Sequence, residues 1–467
     1  MSRSGPDGAL PGGMIVYKFG GTSLADADRY RHAARLVRDC GGQPVVVVSA
    51  LAGVTNELSD LASDASQGTS ANAVGRVEAL RARHREIAGA LLDEPGGGGL
   101  SERMEARFAE LEALLSAAVG ASPEEPAARL ADAVCAVGED LSVELMMVAL
   151  RREGLEAEVV DARRVVRTDD GFGRAVPCDE ETKALVRELL SPLLQSGKVP
   201  VLQGFVAATA EGVTTTLGRG GSDFTAAIVG AALGAEDVSI WTDVDGVMSA
   251  DPTLVEGART IGELGYEEAV ELAYFGARAI HPAAAKHAAA RDISLRIKNS
   301  FRPEEPGTLI RHDRRRAVGV AAVAYKPAVT LLKVRSRPLF MAFGFLARVF
   351  DVLARHRLPV DLVATSHTST AFTIDEDHGL DEVKEELEPF AEVEVVPNVA
   401  TVSVIGHGLL QQPGIAARVF AALGETPVLL ISQASDVSLS FLVAASPAPS
   451  VVRRLHADLI ESGGTPR

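Results

Sequence analysis

Two stretches, "IVYKFGGTSL" (15–24) and "TTTLGRGGSDFTAAIVGAAL" (214–233), run an extended segment through paired glycines directly into a helix start. After the first, "SLADADRYRHAARLVRDCGG" has helical spacing, with Ser23 placed to cap it, and "PVVVVSA" (44–50) reads as a second buried strand. That is a βαβ unit, and it commits this part of the chain to a parallel sheet covered by helices. Around Gly20 and Gly21 no side chain shields the backbone, so free amides and the positive end of a helix dipole can converge on an anion such as phosphate. It is not a Walker loop, in which lysine follows the glycines, because here Lys18 precedes them. A glycine pair in a βα turn also serves close packing, and the first turn alone leaves both readings open. The second turn, with Gly218, Gly220 and Gly221 leading into Ser222 as the expected cap, adds Arg219 and Asp223 at the same helix mouth. Two such turns in one domain suit two anionic ligands.

From about 57 to 155 the chain is rich in Ala, Leu, Glu and Arg at helical spacing, broken at "DEPGGGG" and "ASPEEP". Strand signals return at "AEVVDAR", "VPVLQGFVA", "DVSIWTDVDGV" and "ISLRIKNS", so the first ~310 residues are expected to form one α/β sandwich, ending at the polar junction "RHDRRRAVGV". Beyond it lies an internal repeat. "GFLARVFDVLARHRLPVDLV" begins at Gly344 and "GIAARVFAALGETPVLLI" at Gly414, 70 residues apart, each read as strand, glycine-started helix and strand, with Phe372 matching Phe441. Two small α+β modules in tandem are expected.

At 467 residues the chain exceeds what one core organises, and 47 % apolar with 4 % aromatic content is ordinary for an α/β protein. A net charge of −17 argues against a nucleic-acid surface and leaves small molecules and other protein chains as partners. Cys40, Cys135 and Cys178 are far apart, without CxxC spacing, which suggests neither disulfides nor zinc and fits a reducing cytoplasm. No apolar run approaches membrane-spanning length, and "MSRSGPDGALPGG" (1–13) lacks the makeup of a signal peptide and reads as a disordered tail.

Together with "VSALAGVTNEL" (48–58), "VGEDLSVELM" (137–146), "WTDVDGVMSADP" (241–252) and "FGARAIHPAA" (275–284), the two turns closely resemble aspartate kinases of the amino acid kinase family, in order from Val16 to Val443. The resemblance implies an amino acid kinase-type α/β/α sandwich over 14–312, including a helical section at 57–135, followed by two C-terminal ferredoxin-like α+β ACT domains. ACT domain 1 would span 328–398, and ACT domain 2 would be discontinuous, built from 313–327 and 399–467. With no dehydrogenase segment following, the monofunctional form is expected. ACT modules pair edge to edge, so a homodimer or dimer of dimers is implied.

The implied reaction is MgATP plus L-aspartate giving 4-phospho-L-aspartate and ADP. A side-chain carboxylate with pKa near 3.9 is already ionised at pH 7 and needs no general base, which accounts for the lack of an obvious catalytic histidine. The obstacle is the approach of an anion to a triphosphate, which calls for fixed cations and aligned amides. By resemblance Lys18 faces the transferring phosphoryl group, and Gly20, Gly21 and Ser23 line the phosphate cradle. Arg219 grips the substrate α-carboxylate, Glu139 and Asp223 serve its ammonium, and Thr55, Ser222 and the backbone at Phe205 assist. Lys298 is a second cation near the nucleotide, with Thr242 and Asp243 on the nucleotide shelf. Mg²⁺ is expected on ATP oxygens and water, so no protein ligand to metal is named. Met248 and Thr253 stand where relatives commonly carry an aromatic and an arginine, and a methionine can still pack on adenine.

The first ACT module also departs from lysine-inhibited relatives, which read like "HSRGFLAEVF" and "VDLITTSEVS". Here "MAFGFLARVF" and "VDLVATSHTS" put Ala342 at the serine position and His367 at the glutamate position, while the Gly344–Phe345–Leu346 turn, Asp361 and Ser366 remain as candidate effector contacts. Two other classes stay open at this level: another carboxylate kinase such as an acetylglutamate kinase, which the ACT pair disfavours, and a non-catalytic amino-acid sensor, which the retained Lys18, Glu139, Arg219 and Asp223 disfavour.

Overall fold

The computed structural model describes residues 13–68, 72–92, 99–118, 127–275, 280–312, 318–337, 343–375, 379–433 and 435–462. The expected tail (its first twelve residues), most of both helix breaks, part of the polar junction, residues 276–279 and Ala342 lie outside them. Two compact units emerge, one from residues 13–246, 262–266 and 280–312, the other from 247–261, 267–275 and 318–462.

The first unit opens with β1 (Met14–Phe19), α1 (Ala27–Arg38) and β2 (Gln43–Val48), then four helices, α2 (Val54–Ser66), α3 (Ala73–Leu91), α4 (Leu100–Ala118) and α5 (Ala127–Arg152). There follow β3 (Ala157–Val159), α6 (Asp179–Gln195), β4 (Val199–Gln203), a β5 (Val206–Ala208) and β6 (Thr214–Thr216) hairpin, α7 (Gly221–Leu233), β7 (Asp237–Thr242), β8 (Glu263–Leu264), α9 (Pro282–Ala289), β9 (Ser294–Asn299) and β10 (Thr308–Ile310). Helix α8 (Tyr266–Tyr274), which precedes α9 in the chain, belongs after its first residue to the second unit. The main sheet runs β3-β4-β2-β1-β7-β9-β10-β8, parallel from β3 through β9, with β10 antiparallel to β9. Strands such as "VPVLQ" are buried along their whole length, as parallel strands covered on both faces must be.

Helix α5 explains the helical section. From Val134 to Leu150 it is buried nearly all round, because α1, α2 and α4 surround it. On the opposite face α7 lies against β1 and β7, where a β-carbon on Gly230 would come within 2.4 Å of Val238 of β7. The winding reverses at β1: β2 and β4 follow on one side, β7 and β9 on the other. A crevice at the C-terminal ends of β1 and β7 is where such a sheet binds ligands.

The second unit contains β11 (Gly319–Ser336), α10 (Phe345–Arg355), β12 (Val363–Thr365), β13 (Ser369–Ile374), α11 (Leu380–Leu387), β14 (Ala391–His407), α12 (Ile415–Leu423), β15 (Leu430–Ser432), β16 (Ser438–Ala444) and α13 (Ala448–His456). One antiparallel sheet, ordered β12-β13-β11-β14-β16-β15, carries them. The 70-residue repeat is visible in it: α10 starts after Gly344 at φ +82° and α12 after Gly414 at φ +81°, and Phe372 and Phe441 are both fully buried on β13 and β16. The first half of β11 pairs with the second half of β14 (Tyr325 opposite Val402), and the second half of β11 with β13 and the first half of β14 (Leu332 opposite Phe372 and Val395).

Two stretches inside the expected 14–312 sandwich pack with these C-terminal residues. Ala250 and Val255 share a core with Val402, Phe441 and Leu455, and Ser249 accepts from the Val323 amide at 2.8 Å and bonds His456 Nε2 at 2.9 Å. Tyr274 donates to Asp361 at 2.6 Å.

Candidate active site

Lys18 is the penultimate residue of β1, on a strand clamped between β2 and β7, so its ammonium is delivered to the sheet's C-terminal edge. There it meets Asp223 at 2.6 Å, with side chains 11 % and 13 % exposed. The resemblance assigns these two residues to opposite ligand ends, yet they form one ion pair. No propensity or spacing signals that contact across 205 residues.

Beyond Lys18 the chain makes a tight 3₁₀ turn (Gly21–Leu24). The Gly20 amide donates to the Trp241 carbonyl at 3.0 Å, and the buried Ser23 hydroxyl sits between that carbonyl (3.2 Å) and Ser300 Oγ (2.7 Å). Their polar groups tie β1 to β7 and β9, while the amides of Gly21 and Thr22, first in the turn, have no intrahelical partner. A β-carbon on Gly21 would lie 2.8 Å from the Ala50 carbonyl, so only glycine lets the turn approach β2 so closely.

Both expected serine caps are corrected. Helix α1 is capped by Asp26, whose carboxylate accepts from the Arg29 amide at 2.9 Å, because the glycine turn before it uses up Ser23. Helix α7 begins at Gly221 with Gly220 as its left-handed cap (φ +71°), leaving Ser222 inside the first turn.

Ala50 links the first turn to Glu139, since its amide donates to Glu139 Oε1 at 3.3 Å. Glu139 is 2 % exposed on α5, and its Oε2 is buried without a hydrogen-bond partner among the described residues. Burial pushes its carboxyl up to about 8, with nearby Asp140 adding to the rise. A buried carboxyl group with one open oxygen fits a ligand ammonium.

The second turn closes the site. Phe205 holds a positive φ of 66°, its amide donates to Thr225 Oγ1 at 3.0 Å, and a β-carbon on Gly204 would come within 2.5 Å of Ser222. The β4–β5 join is thus pressed onto the start of α7. Arg219 is exposed in the turn between β6 and α7. Thr55 lies in the first turn of α2, its carbonyl 4.0 Å from Cys135 Sγ of α5.

On the nucleotide side, Thr242 ends β7, donates to exposed Asp243 at 3.2 Å, and accepts from the Ser300 amide at 2.8 Å. Lys298 is held against the sheet, donating to the Pro303 carbonyl at 2.8 Å and lying 5.1 Å over the Trp241 ring, and burial lowers its pKa. Met248 belongs to the second unit, where Thr260 Oγ1 lies 3.6 Å from its sulfur. Among the described residues no three His, Cys, Asp or Glu groups come together to hold a metal ion.

Two buried supports escaped the sequence reading. Asp132 of α5 accepts from the Thr216 amide (3.0 Å), Thr216 Oγ1 (2.6 Å) and the Gly173 amide (2.9 Å), pinning the strand that leads into Gly218. Asp140, next to Glu139, takes both Arg163 nitrogens (3.1 and 2.9 Å) and Gln203 Nε2 (2.7 Å), tying α5 to the residue before Gly204. The only hint was an acidic residue in the middle of an apolar helix.

A model of the amino acid kinase family matches residues 13–299, and an ACT domain model matches residues 402–459. The chain is 37 % identical over 458 residues to the lysine-sensitive aspartokinase 3 of Escherichia coli strain K12, covering 96 % of this chain and 99 % of that one. It is similar to the crystal structure of E. coli aspartokinase III with aspartate and ADP in the R-state (TM-score 0.85, 36 % identity, 96 % and 99 % of the two chains). The T-state complex of that enzyme with lysine and aspartate gives a TM-score of 0.78 at the same identity and coverage. On both its sequence and its fold, this chain belongs to the amino acid kinase family, among the aspartokinases.

Proposed function

We propose that this chain is an ATP-dependent aspartate kinase, which moves the γ-phosphoryl group of ATP to the side-chain carboxylate of L-aspartate, giving 4-phospho-L-aspartate and ADP, the first step of aspartate-family amino acid biosynthesis. The observation that carries this reading is that one unit presents a fixed cation and a buried carboxyl group to opposite ends of a ligand: Lys18 at a glycine turn, and Glu139 with an open oxygen. The relative of known structure that binds aspartate and ADP supports the acceptor.

Phosphoryl transfer to an ionised carboxylate needs positioning and charge stabilisation rather than proton removal. Lys18 supplies a cation fixed by Asp223, and the Gly21 turn offers amides to the phosphates. Arg219 takes the α-carboxylate. Glu139 takes the ammonium, with Asp223 at its other side and Thr55, Phe205 and Ser222 shaping the pocket. Thr242, Asp243 and Lys298 serve the nucleotide, and the resemblance adds Met248. Mg²⁺, held by ATP oxygens and water, supplies charge neutralisation when bound.

Trapping the acyl phosphate with hydroxylamine while following ATP consumption, across aspartate, glutamate and N-acetylglutamate, should give product with aspartate alone. Product only with N-acetylglutamate would overturn the assignment. Arg219→Lys keeps the charge but loses the planar fork, so aspartate KM should rise with ATP KM little changed. A change confined to ATP KM would move Arg219 to the nucleotide site.

The second unit is read as the regulatory half, with ACT domain 1 at 328–398 and ACT domain 2 assembled from 313–327 and 399–467; the β11–β14 register supports this division. Val363 of β12 and Ile431 of β15 are exposed apolar side chains, which suits association of copies into a homodimer or dimer of dimers. Among the described residues no helix is long and apolar enough to cross a membrane, and three free cysteines suit the cytoplasm.

The effector contacts at Gly344, Phe345, Leu346, Asp361 and Ser366 belong to the same half. Asp361 is already engaged: Lys326 Nζ lies 2.5 Å from its carboxylate and 2.6 Å from Asp375. An effector ammonium must therefore compete with an intramolecular one. His367 is exposed beside Ser366 and offers no carboxylate. Losing a charge-assisted hydrogen bond of that kind costs about 1.5 to 3 kcal/mol. Lysine alone should inhibit poorly, and His367→Glu should increase lysine sensitivity without changing uninhibited turnover. Strong inhibition of the wild type at low lysine, or superimposable curves for the two proteins, would sink this reading.

A further inference from the structure

His281 lies in "FGARAIHPAA", a motif that marks the family resemblance and contributes none of the groups assigned above to aspartate or the nucleotide. It precedes α9 and reaches the second glycine turn. A β-carbon on Gly220 would fall 2.4 Å from His281 Cδ2 and 2.5 Å from Cγ, so the imidazole fills the space that any other residue at 220 would claim. Gly220 itself holds φ +71° and caps α7, whose first turn carries Asp223. The ring is therefore packed against the turn that holds Arg219 and the partner of Lys18.

The ring's tautomer follows from its other contact. Nδ1 accepts from the Ala283 amide at 3.2 Å, capping α9, so in the neutral ring the proton resides on Nε2. Burial lowers its pKa, Arg219 lowers it further and Asp223 pulls it back up. Nε2 adjoins Cδ2, the atom nearest Gly220, and makes no hydrogen bond to any described residue. The result is an uncharged N–H donor locked in place at an anion turn.

We propose that His281 is a further catalytic residue: its Nε2–H donates a hydrogen bond to an oxygen of the phosphoryl group in transfer above the Gly218–Ser222 turn. This rests on the carboxylate-kinase reading. A neutral donor suits the position, because it stabilises developing charge without repelling Arg219 or Lys18, and it needs no reorientation as the reaction proceeds. No proton changes hands. The imidazole remains a donor throughout, and the acceptor carboxylate attacks phosphorus while the bond to the ADP oxygen breaks.

The test is steady-state kinetics on full-length wild type, His281→Asn and His281→Gln, with thermal melts and calorimetric ADP binding for each. Asparagine is a good helix cap and preserves the Nδ1 role while removing the ring donor; the glutamine amide reaches the Nε2 position. His281→Asn should melt like wild type, bind ADP normally and turn over roughly 10- to 100-fold more slowly, with both KM values within about threefold. His281→Gln should recover part of the loss. Turnover of His281→Asn within about threefold of wild type, a defect expressed only in aspartate KM, or no recovery in His281→Gln would each overturn the proposal. If His281→Asn fails to fold, His281→Gln decides alone: turnover within about tenfold of wild type supports the donor, and a loss beyond about a hundredfold overturns it. The comparison is made on whichever carboxylate acceptor the wild type phosphorylates. A wild type inactive on aspartate but active on another acceptor thus defeats the substrate assignment and leaves His281 measurable.

Discussion

Lys18→Ala should lower turnover at least a hundredfold while leaving ATP binding within a few fold. At ~4 Å from the transferring phosphoryl group one cation contributes about 4 kcal/mol at an effective dielectric near 20, about a thousandfold in rate if it acts only in the transition state. The ion pair adds to this. Removing Lys18 leaves Asp223, 13 % exposed, unpaired and facing the incoming phosphates. Asp223→Asn placed in the Lys18→Ala background should therefore restore part of the lost rate, a non-additivity that a double-mutant cycle reads directly. Near-normal turnover in purified Lys18→Ala would remove the residue from the chemistry.

Glu139→Gln should separate function from stability. Aspartate KM should rise at least a hundredfold, because the amide cannot neutralise an ammonium in a buried site. The same variant should be more stable than wild type. Glu139 titrates at about 8 in the fold, against an ordinary value of 4.5. The folded state therefore holds a proton that the unfolded chain releases, and the stability this provides is complete below pH 4.5 and is lost as pH rises toward 8. Glutamine has no such proton to lose. Denaturant unfolding should show equal stabilities near pH 4.5 and a gain for the variant of up to about 3 kcal/mol at pH 7. Wild-type aspartate KM should also fall as pH rises toward 8, since the bound ammonium requires the ionised carboxylate. A flat KM profile together with matched stabilities at pH 7 would place Glu139 outside the site.

The parallel strands β1, β2, β3, β4, β7 and β9 were legible because buried strands write themselves as apolar runs, while the short β8 and β10 were not. The section from α2 to α5 was legible as helical, but its two polar interruptions imply three helices, and the end of α2 at Ser66 ahead of α3 at Ala73 went unread. Glycine turns marked the site itself. The capping residues were not legible: Ser23 and Asp26 are both good caps, and only the hydrogen bond from Ser23 to Ser300, 277 residues away, decides between them. Phe205 could not be found by side chain, since its contribution is a left-handed backbone conformation that its residue type does not advertise. The affiliation of residues 247–261 was equally hidden. Ala250 and Val255 look like part of any loop, and it is burial against β14 and α13 that assigns them.

The register of β11 and β14 bears on how the regulatory half can change over time. Each strand passes through both halves of the sheet, so that residues 319–326 complete a layer otherwise built from 399 onward. Although the sequence repeats every 70 residues, no single cut releases one repeat with all its strands. A recombination event that exchanged residues 399–467 alone would deliver a sheet lacking an inner strand and exposing the core around Val402 and Phe441. The two repeats must therefore be inherited, transplanted or lost together.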